Sequence, residues 1–131
     1  MRCSVATRAS WGTWRPQING KHLAHVAYEA TATITFDDPV AVVGVVAEPD
    51  SWTYRWIEID AYDQWGTQIG AYGRWVNGKY GANFLGLSSQ TNNIKSVEIN
   101  ASDDFCFSDL QYRWTPGSNW KFWVKPTFLP I

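Results

Sequence analysis

Glu58 and Asp60 are the two residues whose types and spacing most invite a chemical reading. In the alternating stretch YRWIEIDA they share one strand face, about 7 Å apart by strand rise. That separation suits the carboxyl pair of a glycosidase, one protonating a leaving oxygen while the other assists the attack. A solvated strand face has the same spacing and does no chemistry. Nothing else in the chain completes a catalytic set: there is no Ser/His/Asp order, no nucleophile elbow and no phosphate-cradling glycine loop. His22 and His25 are the only histidines. Three apart on a strand they project from opposite faces, so they make no joint metal site. The expectation is a protein that is not an enzyme.

The tryptophans are the other chemical resource, nine in 131 residues. One small core does not hold nine indoles and satisfy every N–H, so some of them lie at the surface. Three readings apply. Core packing claims several. Sugar stacking needs an exposed indole against the apolar face of a pyranose, with polar neighbours bonding the hydroxyls. Trp52 beside Tyr54, Trp65 in a turn, and Trp75 before Asn77 suit it. A subunit interface uses the same residue types as anchors. Trp11, Trp14, Trp120 and Trp123 lie in the terminal segments, where that role fits better. The apolar tail with Phe128 and Leu129 needs cover, from its own sheet or a neighbour. Cys3 lies in the N-terminal segment and Cys106 on a strand. In an oxidising compartment they bond within or between chains, and otherwise they are thiols.

Bulk properties narrow the classes. The length is that of one domain. Net charge is −1 with 12 acidic and 11 basic residues, so there is no basic field for nucleic acid. No apolar run is long enough to span a bilayer as a helix, and residues 1–20 lack the apolar core of a signal peptide. Partners are expected to be copies of itself or glycans, with neither nucleic acid binding nor membrane insertion.

The elements that must position these residues are strands. Short runs alternate apolar and polar positions, and turn residues separate them. Ala30 to Phe36 puts Ala32, Ile34 and Phe36 on one side, and Asp37-Asp38-Pro39 is expected to end it. Val40 to Glu48 is almost wholly apolar, as in a central strand buried on both faces, with Gly44 marking a bulge or a close backbone contact. Tyr54 to Ala61 turns Ile57, Ile59 and Ala61 inward and Trp56, Glu58 and Asp60 outward. Further runs are Leu23–Tyr28, Thr67–Val76, Asn83–Leu87, Ile94–Asn100 and Asp104–Trp114, the last with a bulge near Ser108-Asp109. The expected fold is an all-β antiparallel sandwich of eight or nine strands in jelly-roll topology. It forms a single domain: an arm over 1–20, the sandwich over 21–114 and an aromatic extension over 115–131.

The segments TITFDDPVAVVG, EPDSW, IDAYDQWG, GANFLG and IKSVEINASDDFCFSDLQY are recognisable together. From about Trp11 to Tyr112 the chain resembles the small jelly-roll domains of bacterial exported and anchored surface proteins. Their shape is similar to that of carbohydrate-binding modules. The resemblance implies an extracellular or surface location. It also implies that any structural calcium would be held by loop carboxylates, Asp103 or Asp104 here; no other cofactor is expected. The C-terminal extension lies outside the shared pattern. The leading expectation is a structural subunit that assembles through its terminal arms into a filament, shell or surface layer. The alternative is a carbohydrate-binding module using its exposed tryptophans.

Overall fold

The computed structural model describes residues 3–7, 22–26, 31–114 and 129–130, with side chains over 31–108 and 110–114. Ten strands lie among them: β1 (Cys3–Thr7), β2 (His22–Val26), β3 (Thr31–Val40), β4 (Val42–Pro49), β5 (Tyr54–Tyr62), β6 (Gln68–Asn77), β7 (Asn83–Ser88), β8 (Ile94–Ala101), β9 (Phe105–Arg113) and β10 (Leu129–Pro130). They form two sheets, ordered β1-β2-β9-β4-β7-β10 and β3-β8-β5-β6. β2 pairs with β9, β3 with β8, β4 with β7 and β5 with β6, all antiparallel. The chain is thus one long hairpin rolled across two sheets, which is the winding of a jelly roll.

The core forms where the alternating runs face each other. Val43, Val45 and Ala47 of β4, Leu85 and Leu87 of β7, and Phe105 of β9 come from one sheet. Ile57, Ile59 and Ala61 of β5 and Val97 and Ile99 of β8 come from the other, and all are inaccessible to solvent. Val42, Val46 and Glu48, on the opposite face of β4, are buried as well. This is the two-sided burial expected of its apolar run. Against β9, Gly44 pairs with Gln111 and Val46 with Ser108, so Asp109 and Leu110 oppose Val45 alone. The bulge predicted from the broken parity of β9 falls at this point.

Two features depart from the sequence expectation, and a third falls on one of the two alternatives it left open. β3 does not stop at Asp37-Asp38-Pro39 but runs on to Val40, its register against β8 shifting between Thr35 and Val40. β3 is an edge strand, and a bulge at an edge accommodates a proline with no N–H to donate. Lys95 Nζ donates to the Asp37 carbonyl there at 2.7 Å. Secondly, residues 3–7 of the expected arm form strand β1 on the edge of the first sheet. Thirdly, Leu129–Pro130 pairs in parallel with Leu87–Ser88 on the other edge, so at this point the tail joins its own sheet.

The loops at one end of the sandwich are tied together. Asp50 N donates to Asp104 O at 2.8 Å, and Gly78 N to Ser51 O at 2.9 Å. A Cβ on Gly78 would lie 2.5 Å from the carbonyl oxygens of both Pro49 and Ser51. Those are backbone atoms and yield only if the β4–β5 loop moves. Gly78→Ala is therefore expected to destabilise the fold by about 1–3 kcal/mol. The check is the urea midpoint at unchanged m-value. A midpoint equal to that of the parent protein would show that the two loops part without cost.

Candidate functional site

The outer face of the second sheet is ordered in rows. Register places Thr31, Asn100, Glu58 and Gly73 side by side across β3, β8, β5 and β6. The next row is Thr33, Glu98, Asp60 and Ala71. On the loop side of the first row, Trp56 faces Trp75. Period-two alternation in β5 puts Tyr54, Trp56, Glu58, Asp60 and Tyr62 on this face while Ile57, Ile59 and Ala61 anchor the strand in the core.

Trp56 is fixed by three neighbours. Its Nε1–H donates to Glu58 Oε1 at 3.1 Å. Its ring meets Trp75 at a centroid distance of 5.4 Å and an angle of 67°, an edge-to-face pair. The indole also lies over Gly73, so closely that a Cβ there would overlap its Cζ2 and come within 2.5 Å of Cε2. Trp56 is 38 % exposed and Trp75 63 %. The two indoles make a corner, with Tyr54 next along the strand and Trp52 on the loop before it. An open cleft of about 260 Å³ runs alongside, lined by Trp56, Glu58, Asn100, Ala101 and Ser102.

Behind the corner lies a hydrogen-bonded polar network. Thr31 Oγ1 donates to Asn100 Oδ1 at 2.7 Å, and Asn100 Nδ2 donates to Asp60 Oδ2 at 2.7 Å. Gln68 Nε2 reaches Asp60 Oδ1 at 3.3 Å, and the Tyr62 hydroxyl donates to Glu98 Oε2 at 3.2 Å. Asp60 is only 5 % exposed. Burial, followed by its hydrogen bond with Glu58 and the charge of that carboxylate, pushes Asp60 up to about 7. Glu98 adds to the rise, and the Asn100 hydrogen bond opposes it. Burial and Glu98 likewise raise the Tyr62 hydroxyl above its ordinary value.

This geometry revises the reading of Glu58 and Asp60. They do not make an exposed pair across a space for a scissile bond: Asp60 is withdrawn beneath its neighbours and held by Asn100 and Gln68. Among the described residues no group of three or more His, Cys, Asp or Glu is placed to hold a metal ion. The Asp103 carboxylate accepts the Asp104 N–H at 2.8 Å, which closes the β8–β9 turn.

The stacking candidates separate. Trp52, Tyr54 and Trp75 gather at one end of the sheet and are all exposed. An ST turn, in which Ser51 Oγ accepts from Thr53 N at 3.3 Å, presents Trp52. Trp65 is also exposed but sits in the β5–β6 turn, about 26 Å away along β5, so it is not part of this corner. Asn77 is buried, and its Oδ1 accepts from Lys79 N at 2.9 Å, so it caps a turn instead of facing a ligand. Trp56 and Asn100 were not singled out from sequence. Trp56 is two residues from both Tyr54 and Glu58, and that shared parity was the available signal. Asn100 depends on the β5–β8 register, which one strand's sequence does not contain.

Of the interface candidates, Trp11, Trp14, Trp120, Trp123 and Phe128 lie outside the described residues. The backbones of Cys3 and Leu129 are paired within their own sheet. His22 and His25 have a described backbone only, on β2. Cys3 pairs with Val26, which pairs in turn with Phe105, so a whole strand separates Cys3 from Cys106. Two strand spacings, about 9.5 Å, exceed the Cα reach of a disulfide, which rules out the within-chain bond. Cys106 is fully buried, which also keeps it from a neighbouring chain.

No family model matches the chain, and no curated protein matches it. Among solved structures it is similar to the carbohydrate-binding module TmCBM61, determined in complex with beta-1,4-galactotriose. The identity is 14 %, the match covers 85 % of this chain and 82 % of that one, and the TM-score is 0.49. At that distance the likeness is one of outline and assigns no residue here a role.

Two outcomes follow from the site. In the unfolded chain Asp60 loses its proton near the ordinary 3.8; in the fold it keeps it to about 7. The folded state therefore binds more protons across that window. The stability this group contributes is complete below about pH 4 and is lost as pH rises toward 7. Asp60→Asn, which resembles the protonated form, is expected to flatten the urea midpoint between pH 4 and 7. An unchanged slope would place the titration elsewhere. Gly73→Ala is expected to lift Trp56 off the strand and alter the exciton signal of the Trp56–Trp75 pair in near-ultraviolet circular dichroism. A spectrum identical to the parent's would show that the indole does not rest on Gly73.

Proposed function

We propose that this domain is a non-enzymatic glycan-binding module and that the corner formed by Trp56 and Trp75 is its binding platform. One observation carries the reading: two exposed, mutually braced indoles stand beside an open cleft in which Trp56 and Ala101 are joined by Glu58, Asn100 and Ser102. A pyranose has an apolar C–H face and an equatorial rim of hydroxyls. The indole faces suit the first, and Glu58, Asn100 and Ser102 suit the second. The preformed hydrogen bonds of Trp56 and Asn100 reduce the ordering that binding requires. Tyr54 and Trp52 extend the aromatic track toward the loops, as a chain of several sugars would need. The burial of Asp60 beneath Asn100 and Gln68 supports binding over hydrolysis, because it leaves Glu58 as the one carboxyl lining the cleft.

Assembly into a filament, shell or surface layer through the terminal arms draws no support from the described residues. A plain protein interface also uses tryptophan. Here, however, Glu58, Asn100 and Ser102 set polar groups beside the aromatic corner, which favours a hydroxyl-rich ligand.

The test is a broad glycan array followed by calorimetry on the best ligand. Trp56→Ala and Trp75→Ala should each weaken binding by about tenfold or more, whereas Trp65→Ala should leave it unchanged. If no glycan binds, or if binding survives both corner substitutions, the reading is wrong.

A further inference from the structure

We infer that the cleft beside Trp56 takes a glycan carrying a protonated amine, such as a de-N-acetylated hexosamine, and that Glu58 selects it; this inference rests on the glycan-binding reading above.

The argument starts from the cleft and its charge. The cleft is open and has one ionisable wall, Glu58. The row behind adds Asp60 and Glu98, so every carboxylate of β5 and β8 on this face lies at or next to the cleft. The described cations are directed elsewhere. Arg55 donates to the Tyr54 carbonyl, Arg74 to the Phe84 carbonyl and Lys95 to the Asp37 carbonyl, while Lys79 lies over the Tyr80 ring at 5.9 Å and Arg113 belongs to β9 of the other sheet. The face therefore carries negative charge that no described side chain offsets. The rise of Asp60 is the internal sign of the same excess: lacking a cation, the network retains a proton.

The acidic residues are not arranged as a metal site. Asp60 is engaged by Asn100, Gln68 and Glu58, and Glu98 by Tyr62. Only Glu58 lines the cleft while retaining acceptor capacity, since a carboxylate offers about four lone-pair positions. An ammonium on a sugar ring stacked at the corner would meet Glu58 directly, in a charge-assisted hydrogen bond. The indole faces of Trp56 and Trp75 attract the same group through their quadrupoles. A uronate or sulfated sugar in that position would face the Glu58 carboxylate, with Glu98 in the row behind. A neutral sugar would stack but lack the charged contact.

The experiment compares oligosaccharides of one length that differ only at C2, bearing ammonium, acetamide or hydroxyl, in both gluco and galacto series, together with a uronate oligomer. Affinities are measured by calorimetry at pH 6 in 0.3 M salt, which screens diffuse attraction. The amine form is expected to bind about tenfold or more tightly than the hydroxyl form, and the uronate not at all. Glu58→Gln should remove the advantage while leaving hydroxyl-form binding in place, and Trp75→Ala should weaken every form. Circular dichroism confirms that each variant is folded, and Asp60→Asn, which resembles the protonated form present at pH 6, is the companion that leaves the cleft wall untouched and should keep the advantage. Equal or tighter binding of the hydroxyl form overturns the inference, as does an advantage that survives Glu58→Gln or binding of every form that Trp75→Ala leaves unweakened. Absence of binding by the whole series also overturns it. The glycan-binding reading is judged separately, by whether any glycan on the array binds in a Trp56- and Trp75-dependent way.

Discussion

Everything at the candidate site depends on the alternation of β5. Ile57, Ile59 and Ala61 are fully buried against the other sheet, and that burial fixes which side chains face out. A slip of one residue would carry Trp56, Glu58 and Asp60 into the core and Ile57 and Ile59 into water. Burying a side chain of the isoleucine class is worth about 1.5–3 kcal/mol, so a slipped register is excluded by a wide margin. The apolar core is thus what aims the polar face. It also supplies the flat support on which Gly73 lets the Trp56 ring rest.

The polar network behind the corner pulls the other way. Three carboxylates on adjacent positions of β5 and β8 raise the free energy of the ionised fold, and the network responds by keeping a proton on Asp60. An arrangement chosen for stability alone would have a cation or an amide in one of those positions. Such local conflict is where functional sites are generally found. The hydrophobic side chains of the core proper follow the alternation, while Glu48, fully buried on β4, is a second carboxyl taken out of water.

Much of the fold was legible in the chain. The parity of Ala32 and Phe36, the two-sided burial of β4, the inward set on β5 and the bulge of β9 all follow from alternation, which is a local property. What failed to show was non-local. Asp37-Asp38-Pro39 reads as a stop, and only its place on an edge strand makes it a bulge. Asn77 reads as a ligand beside Trp75, yet the turn it caps turns it inward. Trp65 reads as equal to Trp52, and the length of a hairpin separates them. Asn100 joins the site through strand pairing alone, which no single segment encodes.

The rolled hairpin also sets an order in time. β5 and β6 are joined by the short turn in which Asp63 Oδ1 accepts from Trp65 N and Thr67 N, each at 2.9 Å. Every other pair in the roll closes a longer loop around that one, ending with Ala24 of β2 against Phe107 of β9. Closure entropy rises with loop length, and topologies dominated by distant pairings fold slowly. The hairpin carrying Trp56 and Trp75 is accordingly the cheapest piece to close, and the outermost strands are the last to find their places. The newly made chain therefore displays its aromatic face before it has an interior.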